Sequence, residues 1–245
     1  MAIVDQGESP PPEVAKRQAR GRRILDAAAG LILRWGYNKT TIDDIARQAG
    51  VAKGTIYLHW QTREDLFAAL IQRENGEWLG DFERRVAADP AGSTLRGVFE
   101  HSALALMKRP LLKALILRDV EVIGKLAQQA HGSAAAGEKL AGFTTYLEFL
   151  REHGQVRTDL SLRQQLYMLT AVFLGFFLVA PLMPDELTLA DEELAELMAE
   201  TVHRALETDS ATPAADSQAA EPALKEHLKR YRTVVREQLR TEMEE

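Results

Sequence analysis

The sequence predicts an all-α protein, with an N-terminal three-helix helix-turn-helix domain followed by a helical bundle. Three observations carry this. Apolar residues recur at three- and four-residue spacing along most of the chain, and no segment sustains the apolar/polar alternation of a strand. Helix stops and starts fall between these segments, at Gly36, Gly50, Pro110, Gly154 and Pro184. Finally, Ala46, Gly50 and Ile56 have the spacing of two short helices crossing at a sharp turn.

Residues 1–12 end in Ser9-Pro10-Pro11-Pro12 and read as a disordered tail. The helix-turn-helix domain spans 13–63. Its first helix runs from Glu13 or Arg20 to Trp35, with Ile24, Leu25, Ala28, Leu31, Ile32 and Trp35 on one core stripe. Gly36 stops it. Short helices at 41–48 and 52–58 hinge at Gly50, and Thr40 with Asp43 resembles a capping box for the first. Ile42, Ile45 and Ala46 form its inner face, and Val51 and Ile56 close the small core.

The body covers 64–207. A long helix follows Thr62 and extends to Ala88, with Glu64 and Asp65 favourable against its dipole. Further helices are predicted at 93–108, 110–130, 135–153, 161–180 and 190–207, with Ser93 as a cap and Pro110 at a first helical position. Residues 208–222 are small, polar and Pro-punctuated, which reads as a linker. A C-terminal amphipathic helix, 223–245, places Leu224, Leu228, Tyr231 and Val235 on one face, to pack on the body or on a second copy.

Composition removes several function classes. The 245 residues contain no cysteine, which excludes a disulfide scaffold, a Cys-ligated zinc site and a Cys nucleophile. Met1–Pro12 lacks the apolar core of a signal peptide, so a cytoplasmic location is expected. The net charge of −6 is unevenly spread. Residues 16–63 hold ten Lys/Arg against three acids, +7, which leaves −13 for the rest. A basic end on an acidic body fits a polyanion-binding module attached to a body with another task, although charge clustering on a solvated face gives the same numbers.

The run Thr40-Thr41-Ile42-Asp43-Asp44-Ile45-Ala46-Arg47-Gln48-Ala49-Gly50-Val51-Ala52-Lys53-Gly54-Thr55-Ile56-Tyr57 continues through Leu58-His59-Trp60-Gln61-Thr62-Arg63-Glu64-Asp65-Leu66-Phe67. With Ile24-Leu25-Asp26-Ala27-Ala28 and Trp35-Gly36-Tyr37 before it, this stretch resembles the TetR family of transcription factors. The resemblance is specific over about residues 20–67 and only architectural beyond, where Gly154–Leu160 looks like a family joint. It implies a homodimeric regulator, most often a repressor, that binds palindromic double-stranded operator DNA. A small-molecule inducer would enter the body, shift the long helix and change the separation of the recognition helices. Neither an enzyme nor a cofactor or metal is implied.

Residue by residue, the resemblance makes Thr41 a phosphate contact at a helix N-terminus. Lys53, Gly54 and Thr55 open the recognition helix as base or backbone contacts. Tyr57 and His59 match phosphate-touching positions. Arg63 stands where Lys is frequent and would fork onto phosphate. Arg20 and Arg22, within the basic stretch 16–23, add phosphate or minor-groove contacts. Each has a structural alternative: Tyr57 as a core plug, His59 and Lys53 as solvated surface groups, and 16–23 as a solvated helix start. Ala52 replaces the Ser that often caps the recognition helix, and Trp60 replaces a more usual Phe.

In the body, the resemblance makes the helices at 161–181 and 190–207 the dimer pair, with Leu174, Leu178, Leu194, Leu197, Met198, Thr201 and Ala205 as interface candidates. Trp78, Phe82, Phe99, Met107, Phe143, Tyr146, Phe149, Tyr167 and Phe173 are candidate liners of a pocket for a hydrophobic ligand, or else core. Two other classes compete. Leu166–Met183 is 18 residues without a charge, the threshold of a membrane span, but Gly175 and Pro181 interrupt it and a buried core or interface helix is favoured. Glu200 and His203 have Glu-x-x-His spacing, yet a helical diiron oxidase needs two such pairs.

Overall fold

A computed structural model describes residues 12–116, 134–208 and 213–244, and the backbone divides into two units, Met1–Leu70 and Ile71–Glu245. Residues 1–11 of the expected tail, most of the expected helix 110–130 and the side chain of Val235 lie outside the described residues.

The first unit is built on α1 (Pro12–Trp35), α2 (Ile42–Ala49), α3 (Lys53–Tyr57) and the start of α4 (Arg63–Ala88). Ile24, Ala28, Ile32, Ile45, Ile56, Leu66, Phe67 and Leu70 are buried to within about one percent and form its core. Gly36, at φ 79°, reverses the chain after α1. That reversal brings Tyr37 rather than Trp35 inward: Tyr37 packs edge-on against Phe67 at 4.7 Å, while Trp35 is 42% exposed. Trp35 is thus not part of the core stripe expected for it.

The cap of α2 lies one residue later than expected. Thr40 is buried and its hydroxyl donates to the Gly36 carbonyl at 2.9 Å, so it is engaged by the preceding turn. Thr41 is the N-cap: its Oγ1 accepts from the Asp44 amide at 3.2 Å and donates to the Asp44 carboxylate at 2.6 Å. At the other end Gly50 adopts φ 64°, and the Val51 amide donates back to Ala46 at 3.0 Å. A left-handed residue is required to fold α3 back across α2, and only glycine takes it without strain. Ala52 stands at the α3 N-cap with no side-chain bond.

The second unit continues α4 and adds α5 (Leu95–Met107), α6 (Pro110–Ile116), α7 (Ala134–Glu152), α8 (Leu162–Val179), α9 (Asp191–Leu206) and α10 (Pro213–Glu244). Among the described residues the one β-like feature is an isolated bridge between Val156 and Glu207. Helix α9 packs on α5 and α8, and α10 packs on α7. Thr94, not Ser93, caps α5, with Oγ1 accepting from Gly97 at 3.1 Å. Ser93 is occupied as a tie point: its amide donates to Ser217 Oγ at 2.9 Å and its carbonyl accepts from Tyr146 at 2.7 Å.

The expected linker is helical from Pro213 onward. Proline at the first position costs no hydrogen bond, and Ala214, Ala215, Ala219 and Ala220 are strong helix formers. Pro222 lies on the exposed face, where the carbonyl it leaves unpaired can turn to water. Ala220, Leu224, Leu228 and Tyr231 are buried, Tyr231 donates to Asn75 at 3.3 Å, and Arg232 pairs with Glu83. This helix is part of the body.

Candidate functional site

Two features stand out, one in each unit. In the first unit, the turn at Gly50 sets α3 on an apolar base made by Ile56, leaving Lys53, Gly54 and Tyr57 facing solvent, with Tyr57 45% exposed. Thr55 is half-buried and Thr41 is exposed beside them. Lys53 Nζ donates to Asp43 at 2.9 Å, and that partner holds its pKa above the ordinary lysine value. Asp43 therefore fixes where the ammonium sits without neutralising the rest of the face.

His59 is half-buried, stacked on Trp60 at 5.2 Å and resting over Gly21. Partial burial, together with the Arg17 and Arg20 charges, lowers its pKa, so the ring is a neutral hydrogen-bonding group near pH 7. Arg17 donates to the Leu58 carbonyl at 3.4 Å and ties α1 to the end of the motif. Arg20 and Arg22 are exposed on α1. Arg63 is placed differently from a free phosphate fork. It donates to the Tyr37 carbonyl and its guanidinium lies over the Tyr37 ring at 4.1 Å and Phe67 at 5.1 Å. Its first role is to clamp the turn after α1 onto α4.

In the second unit, α4, α5, α7, α8 and α10 line a partly open cavity of about 310 Å³. Trp78, Phe82, Phe99, Phe143 and Phe173 line it, in a chain of ring contacts: Trp78 on Phe82 at 5.6 Å, Phe99 on Phe173 at 5.9 Å and on Phe143 at 6.2 Å. The other candidate liners lie elsewhere. Tyr146 is fully buried and bonded to Ser93, because its hydroxyl has a carbonyl to reach. Phe149 stacks on His153 at 3.9 Å, Met107 is half-buried at the end of α5, and Tyr167 is 78% exposed. Leu174, expected at an interface, is half-buried and lines the cavity.

Two ionisable liners escape an aromatic-based reading. Lys139, one helical turn before Phe143, is half-buried as a residue but lays its ammonium over the Trp78 ring at 4.3 Å, and desolvation there lowers its pKa to about 8. His227, between Leu224 and Leu228 on α10, has its pKa lowered to about 4 by burial and by Lys139. Their spacing from apolar neighbours on the same helical face was the available signal.

Helix α8 is long and apolar enough to cross a membrane, and much of it is exposed in the single chain. Leu178 is 50% exposed and Leu197 on α9 is 49% exposed; Leu194, Thr201 and Ala205 are half-buried. Met198 is fully buried inside the subunit, so it is unavailable to a partner. Glu200 and His203 are both engaged, Glu200 in ion pairs with Arg96 and Arg204 and His203 through a 2.8 Å hydrogen bond with Glu207. Among the described residues no three metal-ligating side chains converge.

Comparison with known proteins bears on both units. The family model described as "Bacterial regulatory proteins, tetR family" matches residues 24–70, the helix-turn-helix with both flanks. The transcriptional regulator AcrR of Shigella flexneri is 34% identical over 125 residues, which cover 47% of this chain and 58% of that protein. The chain thus spans less than two thirds of this curated relative. SmeT, the repressor of the Stenotrophomonas maltophilia multidrug efflux pump SmeDEF, superposes with a TM-score of 0.58 at 26% identity, over 79% of this chain and 93% of SmeT. A SmeT–triclosan complex superposes with a TM-score of 0.60 at 24% identity, covering 79% of this chain and 94% of that one. By its matched helix-turn-helix at residues 24–70 and by its fold, the chain is similar to TetR-family regulators such as AcrR and SmeT.

Proposed function

We propose that this protein is a transcriptional repressor that binds a palindromic operator as a homodimer and leaves it when a small, largely hydrophobic molecule enters the body. The observation that carries this reading is the recognition face: Lys53, Gly54 and Tyr57 stand clear of a rigid helix-turn-helix core. Lys53, Gly54 and Thr55 meet base edges or backbone in the major groove, and Thr41, Tyr57 and His59 meet flanking phosphates. Arg20 and Arg22 add phosphate contacts that steer association. Arg63 contributes by holding the turn, with any spare N–H directed to phosphate.

Dimerisation uses the exposed apolar strip of α8 and α9, with Leu178, Leu194, Leu197, Thr201 and Ala205 in the seam. This occupant also accounts for an apolar helix that a single chain leaves uncovered, without a membrane. The ligand occupies the cavity beside Trp78 and Phe82; the similar protein SmeT is known as a complex with triclosan. Both residues lie on α4, the same continuous helix that begins at Arg63, so a ligand-driven shift of α4 alters the separation of the two recognition helices.

Fluorescence anisotropy with a DNA fragment from upstream of the protein's own gene tests the reading. Saturable binding that resists random competitor DNA and weakens at least tenfold in Tyr57→Ala supports it. Equal, weak binding to both DNAs with a steep salt slope would leave only a non-specific basic patch.

A further inference from the structure

We infer that the cavity takes an anionic amphiphile, its charged group seated at Lys139 and His227 and its apolar chain among Phe99, Phe143 and Phe173. This rests on the reading of the cavity as the ligand site. Of the lining residues, Lys139 from α7 and His227 from α10 are the ionisable ones; α4, α5 and α8 contribute only apolar side chains and the hydroxyls of Ser102 and Thr170. No carboxylate lies within ion-pair distance of Lys139 among the described residues, where its recorded neighbour is the face of Trp78. The His227 ring is in the same condition: Nδ1 is buried without a hydrogen-bond partner, pressed towards Gly142, where a Cβ would meet it at 1.9 Å.

A desolvated ammonium with no carboxylate and an imidazole Nδ1 with no hydrogen-bond partner, among the described residues, are both unfavourable in the ligand-free chain. An incoming carboxylate, sulfonate or phenolate removes that penalty, whereas an apolar cation adds to it. Burial keeps His227 neutral near pH 7 while Lys139 keeps its proton for the larger fraction of molecules, so the site carries about one positive charge. The aromatic wall supplies affinity for the chain without distinguishing head groups. Lys139 therefore sets selectivity and the rings set strength.

Three probes of one chain length separate these contributions: decanoate, decanol and decylammonium, titrated calorimetrically into the full chain at pH 7. Decanoate should bind about tenfold or more tighter than decanol, and decylammonium most weakly. Lys139→Met should bring decanoate down to the level of decanol, while Lys139→Arg keeps the preference; circular dichroism checks that both fold. Equal affinities for decanoate and decanol in the unaltered chain, or a preference that survives Lys139→Met, overturns the proposal. Phe173→Trp, which narrows the cavity, tests the underlying reading separately. If decanol binding is indifferent to it, or if none of the probes binds, the cavity is not the ligand site and both readings fall.

Discussion

Lys53 and Lys139 are the same side chain in two regions of the molecule, and the protein uses them in opposite ways. Lys53 is exposed on the recognition face, held by Asp43 at 2.9 Å, and its pKa is raised. The Lys139 ammonium is desolvated against Trp78, with no carboxylate beside it among the described residues, and its pKa is lowered to about 8. An exposed, pre-positioned charge acts through a long-range field that many polyanions feel, so its contribution is screened by salt. A desolvated charge acts only on what enters its cavity, and its strength comes from the lack of water. The first arrangement suits recruitment to DNA; the second suits discrimination among small molecules.

The contrast requires that α10 form one wall of the cavity, and this is where the largest effect is expected. Leu224, Leu228 and Tyr231 are buried, each contributing about 1.5–3 kcal/mol. Their sum approaches the whole stability of an ordinary domain. Deleting 213–244 should therefore unfold or aggregate the second unit, read as loss of the cooperative urea transition. A truncated chain with an unchanged midpoint would show that the cavity wall is dispensable.

On the exposed side, Lys53→Glu sets two carboxylates together where phosphate should lie. Operator affinity should fall roughly a hundredfold, and the slope of log affinity against log salt should flatten by about one to two. An unchanged slope would mean that Lys53 is not on the DNA-facing side. Smaller in free energy is the titration of Lys139. Between pH 8 and 10.5 the unfolded chain holds a proton that the folded chain has lost, so stability of the ligand-free protein rises with pH across this window. Lys139→Met should be more stable at pH 7 by about 1–3 kcal/mol, with the gap closing towards pH 10.5. Parallel urea midpoints for the two chains across this range would contradict desolvation of the charge.

The two regions also differ in how far they could be read from the residues. In the first unit, local rules decide nearly everything: Gly36 and Gly50 need left-handed backbone, and Thr, Asp and Glu mark helix starts. The positional errors there are one or two residues wide, Thr41 for Thr40 and Tyr37 for Trp35. Thr41 caps in place of Thr40 because the Thr40 hydroxyl is claimed by Gly36, a bond across a turn that periodicity does not register. In the second unit the helices are legible but their neighbours are not. The chain alone marks Phe143 and Tyr146 equally as aromatic; only packing sends one to the cavity and the other to Ser93. Asn75-Gly76, a favoured turn pair, sits inside α4, and Pro222 sits inside α10, since tertiary burial outweighs local preference at both places. His227 shares the buried face of Leu224 and Tyr231, and a strictly apolar pattern passes over it.

The smallest expected effect concerns the start of the recognition helix. Ala52 has extended backbone, φ −71° and ψ 147°, which is the conformation of an N-cap, but it offers no acceptor to the amides of α3. Thr41 shows what the missing group does one helix earlier, where its hydroxyl satisfies the Asp44 amide. Ala52→Ser should add a comparable bond without moving the backbone. The expected gain is about 0.5–1 kcal/mol, which corresponds to a rise in melting temperature of about 1–4 °C. The same substitution separates two reasons for leaving the cap out. If Ala52→Ser stabilises the free protein and tightens operator binding, α3 is frayed in solution and ordered by DNA. If it stabilises the protein but weakens binding, the uncapped amides are themselves phosphate donors, and the added hydroxyl competes with DNA for them.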